Sequence, residues 1–85
     1  MRNEDEVKNI VYGAIAATFR FSVGEIGPET TASDVNGWDS VSTSRLFFAI
    51  EDAVGVELPI EDLLATDNVG ELCAAVFRFL GTKKD

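Results

Sequence analysis

At 85 residues, 46% of them hydrophobic and 26% charged, the chain has room for one folded domain spanning 1–85 and is too apolar to be disordered. Fifteen acids against seven bases and no histidine leave a net charge of −8, a field that repels nucleic-acid phosphates and anionic membranes and attracts basic protein patches. The single cysteine, Cys73, excludes an internal disulfide and a cysteine-rich zinc site, and the missing histidine removes the commonest catalytic base and metal ligand.

The opening Met1-Arg2-Asn3-Glu4-Asp5-Glu6 is too acidic for a secretory or mitochondrial leader. No apolar run approaches a membrane span, so a cytoplasmic protein is expected. A helix is expected over residues 4–21. Val7, Ile10, Val11, Ala14 and Thr18 share one face with Ile15 at its edge, Asn3 can cap it, and Glu4, Asp5 and Glu6 suit its positive end. Residues 22–37 hold four glycines and prolines among Thr30, Thr31, Ser33, Asp34 and Asn36, and read as a long loop pegged by Ile26 and Val35. A loop of that length in so small a domain invites a functional explanation.

Asp39 caps a second helix expected over residues 40–54, which Gly55 ends. Thr43, Leu46, Phe47, Ile50 and Val54 line its core face, while Val41, Ser44, Arg45, Phe48 and Asp52 point away. Pro59 forces an extended approach to one short helical turn over residues 60–64. Asp67 or Thr66 is expected to cap a last helix over residues 68–80, its stripe formed by Val69, Leu72, Cys73, Val76 and Leu80, with Gly81 at its end and Lys83 and Lys84 beyond. No stretch alternates with period two long enough for a sheet. The expected fold is all-α, with three main helices, one short third helix and a long loop between the first two.

The informative segment is Gly37-Trp38-Asp39-Ser40-Val41. A hydroxyl in the first turn of a helix, after a glycine-bearing loop, stands in solvent beside backbone amides that favour a phosphate. Asp-Ser at a helix start is also an everyday cap, so the pair alone carries little. The longer run does more: Gly37-Trp38-Asp39-Ser40-Val41, Leu46, Ile50-Glu51 and Gly55-Val56-Glu57-Leu58-Pro59 together resemble the acyl and peptidyl carrier protein family.

That resemblance implies a four-helix acyl-carrier-like bundle whose loop end presents Ser40 for covalent 4′-phosphopantetheine, added from coenzyme A by a phosphopantetheinyl transferase. The arm's thiol then holds an acyl or aminoacyl group as a thioester for a loading ligase and downstream synthase or transferase enzymes of fatty-acid, polyketide or other specialised biosynthesis. Asp39 caps the helix and helps the transferase recognise the site; Val41, Arg45, Phe48, Glu51, Asp52 and Glu57 meet partner enzymes. A monomer is implied, with no nucleic acid, membrane or metal involved. The chain departs from the family pattern at Val41, usually leucine, and at Ser42 and Arg45, where fatty-acid carriers are acidic. Phe48 replaces a smaller apolar residue. Two other readings stand beside it. One is a helical interaction module that has lost the arm. The other is an enzyme, for which no nucleophile and base pair is visible.

Overall fold

The helix starts are written in polar side chains, and the backbone follows them. The structure, a computed structural model, describes residues 3–82, apart from the side chains of Ser40 and Thr82. Lys83 and Lys84, expected as a solvated tail, lie outside the described residues. Four α-helices run in order: α1 (Glu4–Phe19), α2 (Ser40–Val54), α3 (Ile60–Leu64) and α4 (Val69–Thr82), and no strand occurs among the described residues. The all-helical expectation, including the bounds of α2 and α3, holds.

At α1, Asn3 accepts from the Glu6 amide at 2.8 Å while the Glu6 carboxylate accepts from the Asn3 amide at 3.1 Å, a reciprocal box that satisfies two otherwise orphaned donors. The helix ends at Phe19, two residues before the expected 21, because Arg20 turns left-handed at φ 54° and its amide, like that of Phe21, goes back to the Ala16 carbonyl. A non-glycine residue in that region costs about 1–2 kcal/mol. The early stop leaves Phe19 and Phe21 half-buried against the core.

The long loop has more internal order than a coil. It contains 3₁₀ turns at Val23–Glu25 and Ala32–Asp34. Ile26 and Val35 are buried as expected. Its middle is fastened to α4: the Val69 amide donates to the Thr30 carbonyl and the Gly70 amide to the Pro28 carbonyl, both at 2.8 Å. Asn68 Oδ1 accepts from the Glu71 amide at 2.8 Å. The first amides of α4, which no helix can satisfy internally, are thereby all paired. Asn68 is the cap, not Asp67 or Thr66; the Asp67 amide instead donates to the Glu71 carboxylate and the Thr66 hydroxyl to the Leu63 carbonyl. Helix α4 also continues through Gly81 instead of stopping there.

Helix α1 packs on both α2 and α4, and α3 on α4. Val7, Val11, Ile15, Leu46, Ile50, Val69 and Val76 are fully buried between them. Each such side chain stabilises the fold by about 1.5–3 kcal/mol relative to exposure. Tyr12, absent from the expected stripe, is buried as well, whereas Thr18 and Cys73 are only half-buried.

The loop-to-α4 fastening makes a contrast between two helical glycines. A methyl at Gly70 would lie 2.9 Å from both the carbonyl oxygen and the Cβ of Pro28, whereas at Gly13, within α1, it would meet nothing within 4 Å. Gly70→Ala is therefore expected to destabilise by about 1–3 kcal/mol, overpacking outweighing its helix-propensity gain. Gly13→Ala is expected to stabilise by about 0.5–1 kcal/mol. Urea unfolding of both variants measures this, and equal behaviour would remove the Pro28 contact as an explanation.

Candidate functional site at the amino end of helix α2

Gly37 sets the approach to α2. It adopts φ 87°, and the Asp39 amide donates to its carbonyl at 3.1 Å. This left-handed turn, which glycine enters without a Cβ penalty, swings Trp38 back toward the end of α1. There the indole stacks on Phe19, with ring centroids 5.2 Å apart and planes 18° from parallel. Such a pair contributes about 0.5–1.5 kcal/mol beyond burial. The Trp38 Nε1–H donates to Thr43 Oγ1 at 3.0 Å, and the Thr43 hydroxyl in turn donates to the Asp39 carbonyl at 2.7 Å. Trp38 thus closes the loop against the end of α1, and Thr43, expected only as a core-facing residue, connects it to the helix start. The sequence signal for that bond was the five-residue spacing from an indole donor to a hydroxyl in the first turn.

Asp39 is extended, at φ −123° and ψ −172°, and its carboxylate accepts from the Ser42 amide at 2.9 Å. Hydrogen bonds from the Ser42 amide, then the Ser42 side chain, hold its carboxyl below the ordinary value of 3.8, against a smaller opposing effect of desolvation. Residue 40 follows as the first residue of α2, between Asp39 and Val41, both exposed. The expectation that its hydroxyl stands in solvent concerns a side chain outside those described.

Val41, Arg45, Phe48 and Asp52 form one exposed stripe along α2, with Val41 at 69% and Phe48 at 68% of full exposure. Glu57, beyond the far end of the helix, joins Phe48, Asp52 and Val56 around a shallow open groove of about 630 Å³. Along α2 this groove begins at Phe48, roughly 12 Å from residue 40 at 1.5 Å per residue, and it extends past the end of the helix. Glu51 lines the same groove but is half-buried, and its carboxylate accepts from the Leu58 amide at 2.8 Å, tying the α2–α3 connection to the helix.

A further feature lies between α2 and α3, where Trp38, Thr43, Phe47, Leu63, Leu64 and Leu72 line a cleft of about 170 Å³. Leu64 is 60% exposed at its rim and did not stand out in the sequence; the signal was the Leu63-Leu64 pair, since a helix of five residues cannot bury both. On the opposite side, Cys73 shares a groove with Lys8 and Tyr12. The Lys8 Nζ lies 5.7 Å from the Tyr12 ring centroid. Burial raises the Cys73 thiol to about 11, and the nearby Lys8 charge only partly offsets it. Burial wins, which disfavours the reactive thiolate form at neutral pH. The same burial, with a smaller contribution from Cys73, raises the Tyr12 phenol. No cluster of metal-ligating side chains occurs among the described residues, and no helix among them is long and apolar enough to cross a membrane.

The comparisons with known proteins name the class. Residues 9–76 match the phosphopantetheine attachment site family, and the chain belongs to it. It is 33% identical over 73 residues to the acyl carrier protein MbtL of Mycolicibacterium paratuberculosis, covering 86% of this chain and 82% of the relative. It is 36% identical over 73 residues to an acyl carrier protein of Chlorobium phaeovibrioides, covering 86% and 90% respectively. Over 57 residues it is 39% identical to a D-alanyl carrier protein of Bacillus pumilus, covering 67% and 73%. The family's group is covalently attached 4′-phosphopantetheine, and the open amino end of α2 fits it.

Two titrations test this description. In an acid titration followed by carboxyl NMR, Asp39 is expected to have its midpoint below the ordinary value of 3.8. Because the folded value is depressed, its contribution to the cap is complete above the unfolded value and is lost as pH falls through the folded one. A midpoint at or above the ordinary value would contradict the cap. With iodoacetamide near pH 8, Cys73 is expected to react far more slowly in the folded protein than in denaturant, and equal rates would show the thiol to be open.

Proposed function

We propose that Ser40 carries the 4′-phosphopantetheine arm and that the chain, as a single carrier domain over 1–85, presents acyl groups to partner enzymes without catalysing a reaction itself. One observation carries the reading: within the matched residues 9–76, Gly37-Trp38-Asp39-Ser40 falls where the loop gives way to α2, with residue 40 first in the helix. When bound, the arm supplies a terminal thiol that holds cargo as a thioester. In this reading the chain's own residues divide the work. Asp39 and the Trp38–Thr43 bond hold the helix start in place so that a transferase meets a fixed target. Val41, Arg45, Phe48, Asp52 and Glu57 contact partners, and Glu51 acts through the α2–α3 connection it braces.

The partners are a phosphopantetheinyl transferase using coenzyme A, a ligase that loads the arm, and a synthase or transferase that unloads it. A cytoplasmic monomer is the form in which one small acidic carrier can visit each of them. Relatives named acyl carrier protein support an acyl cargo, as does the apolar part of the cleft beside Trp38 and Phe47. An aminoacyl cargo is the second reading, favoured by the D-alanyl carrier relative.

Incubation with coenzyme A, magnesium and a broad-specificity transferase is expected to add the mass of one phosphopantetheine to the wild type and none to Ser40→Ala. Addition to both proteins, or to neither under several transferases, would defeat the assignment.

A further inference from the structure

Between Asp39 and Asp67 the sequence has seven acids and one base, Arg45. That base is exposed on α2, in line with Val41, Phe48 and Asp52. At 100° per residue these four positions fall within about 60° of arc, opposite the buried Leu46 and Ile50. The residues three and four away from Arg45 along the helix are Val41, Ser42, Phe48 and Ala49, so its own helix offers it no carboxylate. Those around Asp52 are Phe48, Ala49, Gly55 and Val56, so Asp52 has no base there. A cation and an anion, each unmatched on its helix, flank an aromatic ring that is 68% exposed. Seven residues, about 10 Å of helix, separate the two charges.

We propose that Arg45 is a specificity-determining residue of this docking face: it turns away protein partners whose contact patch is basic throughout and admits those that set a carboxylate against it, an apolar socket over Phe48 and a lysine or arginine against Asp52. The proposal rests on the carrier reading and adds to it a means of choosing partners. The reason is electrostatic complementarity along a line. The chain's net charge of −8 draws any basic surface toward it, so long-range attraction cannot discriminate among basic partners. One opposite charge at the centre of the contact can, because a like charge held against it is repelled while neighbouring acids still attract. The same polarity sets the register, since a partner shifted by one helical turn would lose both charge matches and the seat for Phe48.

The test uses Ser40→Ala protein, so that binding is read without arm transfer, and a purified broad-specificity phosphopantetheinyl transferase with a basic docking surface as the probe. In that background Arg45→Glu is expected to tighten Kd about two- to tenfold at low salt, Arg45→Gln by less, and Arg45→Lys not at all. The differences should shrink at high salt. Replacing the basic residues of the transferase patch with glutamate one at a time should yield one variant that tightens on Arg45 and weakens on Arg45→Glu. Equal or weaker binding by Arg45→Glu at low salt, or no binding by any variant, would overturn the proposal. Wild-type protein that binds the transferase with the expected Arg45 dependence yet gains no arm would defeat the Ser40 assignment alone.

Discussion

The start of α2 is held by one chain of contacts, and the rest of the site depends on it. Phe19 stacks on Trp38, Trp38 donates to Thr43, and Thr43 donates to the carbonyl of Asp39, whose carboxylate closes the first turn. These contacts cross from the last residue of α1 to the first turn of α2, bridging the two ends of a long loop. At about 0.5–1.5 kcal/mol for the hydrogen bond and a similar amount for the stack, they outweigh thermal energy without making the loop rigid along its length. The loop's middle is fixed separately, by the Pro28 and Thr30 carbonyls on α4. Two anchorages thus tie down the twenty residues that connect α1 to α2 with little regular structure.

Much of this was legible because local chemistry decides it. Asp39 before Ser40 and Gly55 after Val54 bound α2 by capping alone, and Pro59, which restricts the backbone before it, marks the start of α3. What was not legible depended on tertiary partners. Helix α4 takes Asn68 as its cap because the loop already supplies acceptors to Val69 and Gly70, and no local pattern announces a carbonyl forty residues upstream. Helix α1 stops at Phe19, where Arg20 turns left-handed and the ring stacks on Trp38, although the apolar pattern runs on to Phe21.

The candidate site shows the same division. Gly37-Trp38-Asp39-Ser40 stood out as a run, and Val41, Arg45, Phe48 and Asp52 stood out because they lie opposite the core face of α2. Glu51 could not be separated from Asp52 by sequence, since both are acids at the end of one helix. The structure separates them: Glu51 braces Leu58 while Asp52 is exposed.

The most direct test localises the adduct within this segment. Fragment-ion mass spectrometry of the proteolysed, transferase-treated protein should find the phosphopantetheine on residue 40 and on no other hydroxyl of the Ser40-Val41-Ser42-Thr43-Ser44 run. An adduct on Ser42 or Ser44 would contradict the account, because the contacts through Trp38, Thr43 and Asp39 would then be presenting the wrong residue.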